Sequence, residues 1–200
     1  MQHTRPLQDH PEFSIREYQG CTEYRVENWR RARDGSGGVL RFYGWSWVDA
    51  VVPVLIAVYW QTITSSRLSG ALAILLAALY ARSRSTQVLW ESVVLIPSFG
   101  LQFETHRGLP GLPLLASRQF IPFMRLQDVV INEGLRGWNV RYYLAAIAKS
   151  QDETISLHVP FENILPYFPV LLEVYHELQE NVFGRSSSSP TAQQPTERGV

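Results

Sequence analysis

The sequence predicts an α+β chain. A membrane helical hairpin over residues 42–82 is followed by a small antiparallel β domain over residues 88–183, which a C-terminal helix closes. Three observations lead there. Two short apolar blocks flank a polar turn before residue 82. Runs rich in β-branched residues, punctuated by Gly and Pro, follow it. From Ile164 onward, apolar residues recur at helical spacing.

The hairpin rests on length and charge. The blocks are Val48 to Trp60 and Leu68 to Ala81, separated by Gln61 to Arg67. A helix rises about 1.5 Å per residue and a bilayer core is about 30 Å thick, so a full span takes roughly 20 apolar residues. Each block alone is shorter than that. The first extends back to Phe42 through aromatic residues, whereas the second is stopped at Arg67. The pair therefore either spans a thin membrane or dips in and returns, with both ends on one side. Arg30, Arg31, Arg33, Arg41, Arg82 and Arg84 flank the blocks and Arg67 lies in the turn, so the positive-inside rule puts both termini in the cytosol. Trp45, Trp47, Tyr59, Trp60, Tyr80 and Trp90 sit near the block ends, where amphipathic rings suit an interface. The alternative is two buried helices of a soluble core.

Residues 1–41 form a polar, cytosolic and largely irregular segment with a Gly-rich stretch at Gly35 to Gly38. In the β domain, Glu91 to Pro97 and Leu101 to Thr105 read as a hairpin around Pro97-Ser98-Phe99-Gly100. Arg107 to Ser117, with two Gly and two Pro, reads as a loop. Arg118 to Pro122 and Val129 to Asn132 read as short strands, and Glu133 to Trp138 as a turn. Val140 to Ala148 and Thr154 to Val159 form a further hairpin. The closing helix carries Ile164, Phe168, Leu171, Leu172, Tyr175, Leu178 and Val182, with Pro166 and Pro169 at its start. This arrangement resembles a pleckstrin-homology-like fold. Residues 184–200 have almost nothing to bury and read as a disordered tail.

Composition excludes several functions. The 18 basic residues balance the 18 acidic ones, so no field favours nucleic acid. Cys21 is the single cysteine, which removes a disulfide framework and a cysteine metal site. The N-terminus has no apolar signal core.

A search for chemistry finds no catalytic, cofactor-binding or metal-binding residues to nominate. There is no G-x-G-x-x-G, P-loop, H-E-x-x-H or G-x-S-x-G. His106 and His158 stand apart from any ligand spacing, and His158 reads as a solvent-facing or satisfied strand residue. His176 lies among Glu173, Glu177 and Glu180 on what reads as a solvated helix face. The five aspartates are scattered. The expectation is a chain that is not catalytic alone and needs no cofactor.

Glu91 to Gly100 (ESVVLIPSFG), Phe120-Ile121-Pro122, Leu126 to Glu133 (LQDVVINE) and Leu171 to Tyr175 (LLEVY) together resemble the PIG-H family, a component of phosphatidylinositol N-acetylglucosaminyltransferase. The likeness runs from about Trp90 to Gln179, and I-P followed by L-Q-D-V-V-I-N-E is its specific part. It implies a non-catalytic subunit of the complex that moves N-acetylglucosamine from UDP-GlcNAc to phosphatidylinositol, the first step of GPI-anchor synthesis. It also implies an endoplasmic reticulum membrane location. The partners would be the catalytic glycosyltransferase subunit, other membrane subunits and membrane lipid. The candidate partner-binding residues are Phe120, Ile121, Pro122, Asp128, Asn132 and Glu133. For Asp128 a local cap or pairing is the competing reading, and for Asn132 and Glu133 a strand end and turn. For 120–122, a strand edge ending in Pro offers free backbone groups.

The alternative is a membrane-anchored phosphoinositide-binding adaptor. That function wants clustered cations. Lys149 is the sole lysine, and Arg118, Arg125, Arg136 and Arg141 are spread along the chain.

Overall fold

The computed structural model describes residues 2–28, 30–31, 39–40, 47–109, 111–150 and 152–184. Strands β1 (Gln2–Thr4), β2 (Phe13–Tyr18) and β3 (Cys21–Glu27) come first, then the two-residue strands β4 (Arg30–Arg31) and β5 (Val39–Leu40). Helices α1 (Trp47–Val58), α2 (Trp60–Ser65) and α3 (Arg67–Ser85) follow. The rest is β6 (Val88–Ile96), β7 (Gly100–Leu109), β8 (Leu112–Pro122), β9 (Leu126–Arg136), β10 (Asn139–Lys149), β11 (Ile155–His158) and helix α4 (Phe168–Leu178). A π-helical turn, Gln179–Phe183, continues directly from α4.

The strands form a six-stranded sheet, β1-β2-β3-β6-β7-β8, a three-stranded sheet, β11-β10-β9, and the small pair β4-β5. Every described pairing is antiparallel. Strand alternation sends one face of each sheet into a shared core. The larger sheet contributes Phe13, Tyr24, Val26, Val93, Leu95, Leu101, Phe103 and Ile121. The smaller adds Leu126, Val129, Leu144, Ala146 and Ala148, and α4 adds Val170, Leu171, Val174 and Leu178. Tyr24, fully buried, donates its hydroxyl to Glu177 Oε2 on α4 at 3.4 Å. Burial, then the Glu177 charge and hydrogen bond, push that phenol well above its ordinary range.

β3 and β6 are neighbours although the helices lie between them in sequence. Glu27 pairs with Trp90. Asn28 N–H donates to Leu89 O and its side-chain amide to Val88 O, both at 2.9 Å. The chain leaves the sheet beside the point where it returns.

The predicted fold class is corrected on two counts. First, residues 2–27 are not an irregular polar segment but three strands of the main sheet. Phe13 and Ile15 pack into the core, Arg16 lies on the opposite face, and Gly20, at φ +103°, makes the β2–β3 turn. A β domain beginning at residue 88 would lack half of its larger sheet. Second, the chain is mostly β-sheet, and no helix among the described residues is long and apolar enough to cross a membrane. The apolar blocks are helical, but α1 has 12 residues, a rise of about 18 Å. Ser66, extended at φ −137° and ψ 141°, separates α2 from α3. Arg67, Arg82 and Arg84 lie inside α3 and leave it too short an apolar run. The predicted hairpin residues 42–46, the Gly-rich stretch 35–38 and the tail 185–200 lie outside the described residues.

Two smaller readings also change. Arg107 to Ser117 is not a loop: it is the distal part of a long β7–β8 hairpin. Its glycines permit the strands to close, since a Cβ on Gly108 would collide with the carbonyl of Leu112. Glu133-Gly134 is not a turn. Both residues lie inside β9, where Gly134 pairs with Arg141 and leaves room for the Tyr143 ring.

Candidate interaction surface

The six residues nominated from sequence do not converge on one site. Phe120 lies half-exposed on β8, while Ile121 is in the core and Pro122 ends the strand. Asp128 is exposed on β9. Its Oδ1 accepts from Val129 N–H at 2.7 Å and from Gln179 Nε2 at 3.4 Å, so it ties β9 to the end of α4. Asn132 Oδ1 accepts from Glu133 N–H at 2.8 Å, and both residues are exposed. Phe120 and the 128–133 stretch therefore sit on different sheets.

Beside β7 and β8 lies a cleft of about 490 Å³, roofed by the segment 159–163. Glu91 organises it. This carboxylate is 2 % exposed and sits on the core face of β6 between Leu89 and Val93. It accepts from Asn163 Nδ2 at 2.6 Å, Asn163 N–H at 3.2 Å, Ile164 N–H at 3.0 Å and Thr105 Oγ1 at 3.2 Å. A buried carboxylate is tolerable only when its oxygens are this well satisfied. Its effect is to pin the segment leading into α4 against the sheet. Sequence reasoning gives Glu91 no role of its own. The signal is nevertheless present: alternation places the carboxylate on the same side as Leu89 and Val93.

The outer face of the larger sheet carries a ladder of polar and aromatic contacts. The Arg25 guanidinium lies 3.8 Å from the Trp90 ring centroid, and Trp90 stacks on His106 at 4.5 Å. His106 Nε2 contacts Glu104 Oε2 at 3.0 Å, and Arg118 Nε donates to Glu104 Oε1 at 3.0 Å. Burial raises the Glu104 carboxyl, but hydrogen bonds from His106 and Gln102 and the Arg118 charge outweigh it and hold it below its ordinary value. Arg25 is lowered, chiefly by burial and then by Arg16.

These contacts stabilise the sheet rather than assemble a reaction centre. His158, half-buried, lies between Gln119 Nε2 at 2.9 Å and Ser156 Oγ at 3.0 Å. Among the described residues no group of three His, Cys, Asp or Glu is placed to hold a metal ion. The cations an adaptor would need are dispersed: Lys149 bonds Glu153, Arg118 bonds Glu104 and Arg136 donates to Glu162 O. What is conspicuous is exposure. All of β8 from Leu112 to Phe120 is exposed, and β9 and β10 end in exposed Leu135, Trp138 and Val140.

By fold this is a two-sheet antiparallel β domain closed by a C-terminal helix, with its exposed features on edges and strand ends. Residues 92–162 match the family model "PIG-H: GPI-GlcNAc transferase complex, PIG-H component", and through that segment the chain belongs to the PIG-H family. The chain is 36 % identical over 87 residues to phosphatidylinositol N-acetylglucosaminyltransferase subunit gpi15 of Schizosaccharomyces pombe, covering 44 % of this chain and 51 % of that protein. It is 32 % identical over 125 residues to the PIG-H-type subunit of the same transferase from Homo sapiens, covering 61 % and 64 %. The Bos taurus counterpart gives the same figures. The chain thus spans between half and two thirds of these relatives. No solved structure matches.

Proposed function

We propose that this chain is a non-catalytic subunit of the glycosyltransferase complex that moves N-acetylglucosamine from UDP-GlcNAc to phosphatidylinositol, the first step of GPI-anchor biosynthesis. The carrying observation is the family match over residues 92–162, which takes in most of β6, all of β7 to β11 and most of the segment that Glu91 anchors. The geometry supports a scaffolding role: its buried polar groups tie strands and loops together, while its exposed apolar residues lie on strand edges. Its partners on this reading are the catalytic glycosyltransferase subunit and other subunits of the complex, at the endoplasmic reticulum membrane, with the β domain in the cytosol. A free thiol at Cys21 suits that reducing compartment.

The test is recovery of a tagged chain in mild detergent, with identification of the bound proteins. The material is then assayed for transfer from UDP-GlcNAc to phosphatidylinositol. A co-purifying glycosyltransferase and transfer activity are expected. Recovery of the chain alone would overturn the proposal.

A further inference from the structure

The two edges of the larger sheet are treated differently. β1 is three polar residues long, which leaves little to pair with. β8 runs from Leu112 to Pro122 and pairs only with β7. Its other edge is a row of backbone donors and acceptors. Phe123 N–H donates to Phe99 O at 3.1 Å, in the register that pairs Leu101 with Ile121. Hydrogen bonding alternates along an antiparallel strand. Leu115, Ser117, Gln119 and Ile121 therefore turn their backbone groups to β7. Leu114, Ala116, Arg118 and Phe120 turn theirs outward. Pro122, on the outward parity, has no N–H to expose and so closes the edge, as strand prolines do.

We propose that residues 114–120 of β8 receive an extended segment of another subunit, which pairs with this edge as an added strand. The inference rests on the subunit reading above and names the surface it needs. A row of alternating N–H and C=O groups is satisfied by extended backbone and by little else. Charge selects the occupant further. From Leu112 to Arg125 the chain carries Arg118 and Arg125 and no carboxylate, and Arg118 is 61 % exposed despite its bond to Glu104. The partner strand is therefore apolar opposite Leu114 and Phe120 and acidic near Arg118. A second copy of this chain fits less well, because two-fold antiparallel pairing brings two Arg118 side chains within diagonal reach.

The experiment uses the full chain co-expressed with the subunits of the transferase complex and recovered through its tag. Ala116→Pro removes one outward N–H and adds a ring to the edge without touching a bond to β7. Recovery of the glycosyltransferase is expected to fall about tenfold, the effect of one lost hydrogen bond plus a steric block. The variant's thermal midpoint should match the parent's. Hydrogen exchange read residue by residue supplies a test that needs no substitution. On assembly the amides of Leu114, Ala116, Arg118 and Phe120 should become protected, while those of Leu115, Ser117 and Gln119 are protected before and after. Unchanged recovery with Ala116→Pro, or fast exchange at the even-numbered amides within the complex, overturns the edge proposal and leaves the subunit reading standing. Failure of the unsubstituted chain to recover any glycosyltransferase overturns both. A purified chain of doubled mass that becomes single with Ala116→Pro overturns the choice of occupant.

Discussion

Helices α3 and α4 are both apolar, yet only α4 belongs to the core. In α4, Val170, Leu171, Val174 and Leu178 are fully buried, while Glu173 and His176 face away. That is a stripe of the width one sheet can cover. In α3 no residue is fully buried, and Leu72, Ile74, Leu75, Leu76 and Leu79 are exposed around the helix. α1 and α2 meet it along one side, where Val52, Leu55, Tyr59, Leu72 and Leu76 line an apolar crevice of about 430 Å³. Apolar content alone thus does not assign a helix to the core. The placement of polar residues around the helix does.

Substitutions can break this contrast. Leu171→Ala should have the largest effect: removing a fully buried leucine side chain costs about 2–5 kcal/mol, read as a lower denaturant midpoint with unchanged slope. A cost below about 1 kcal/mol would mean that α4 is not the core helix.

Glu91→Ala comes next. It leaves the Asn163 and Ile164 amides without their acceptor and loosens the approach to α4, at about 1–3 kcal/mol per orphaned group at most. The 159–165 segment should become the first site of limited proteolysis. If cleavage there does not change, Glu91 does not anchor it.

Glu104→Gln should be milder and visible in the pH profile. The folded carboxyl lies below its ordinary value of 4.5. Its contribution is therefore complete above that value and is lost as pH falls through the lower folded one. The variant's stability should fall less steeply than the parent's below about pH 4.5. Parallel acid limbs would remove Glu104 from the account.

Leu75→Ala should do least. A side chain this exposed lies outside the core, and the unfolding midpoint should stay within about 0.5 kcal/mol of the parent. A loss as large as that from Leu171→Ala would show that α3 is part of the folding unit and erase the distinction between the helices.

Legibility in the sequence follows the same physical line. The β6–β7 hairpin is readable because Pro97 and Gly100 bracket its turn, and α4 because Leu171, Tyr175 and Leu178 keep helical spacing. β2 and β3 escape a sequence reading although Phe13 and Ile15, then Tyr24 and Val26, alternate around Gly20. The charges interleaved with them make the segment look merely polar. β8 reads too short because Gly108, Gly111 and Pro113 are loop residues by local preference, whereas here they serve strand closure and an edge. The membrane reading of the helices fails on length, which the arginines at either end of α3 already limit. Of the nominated contact residues, only Phe120 lies on the edge that the structure leaves open. Outward parity at Leu114 and Ala116 cannot be known before the β7 register is fixed.

The neighbouring of β3 and β6 makes residues 29–87 an excursion that begins and ends at the same place, held shut by Asn28. Closing a loop costs free energy that rises only with the logarithm of its length. The sheet is therefore nearly indifferent to what the excursion contains. The helices can lengthen, shrink or change character over evolution while Glu27 still meets Trp90. The β domain is in this sense a fixed socket, and the helical segment an exchangeable fitting mounted on a two-strand stem.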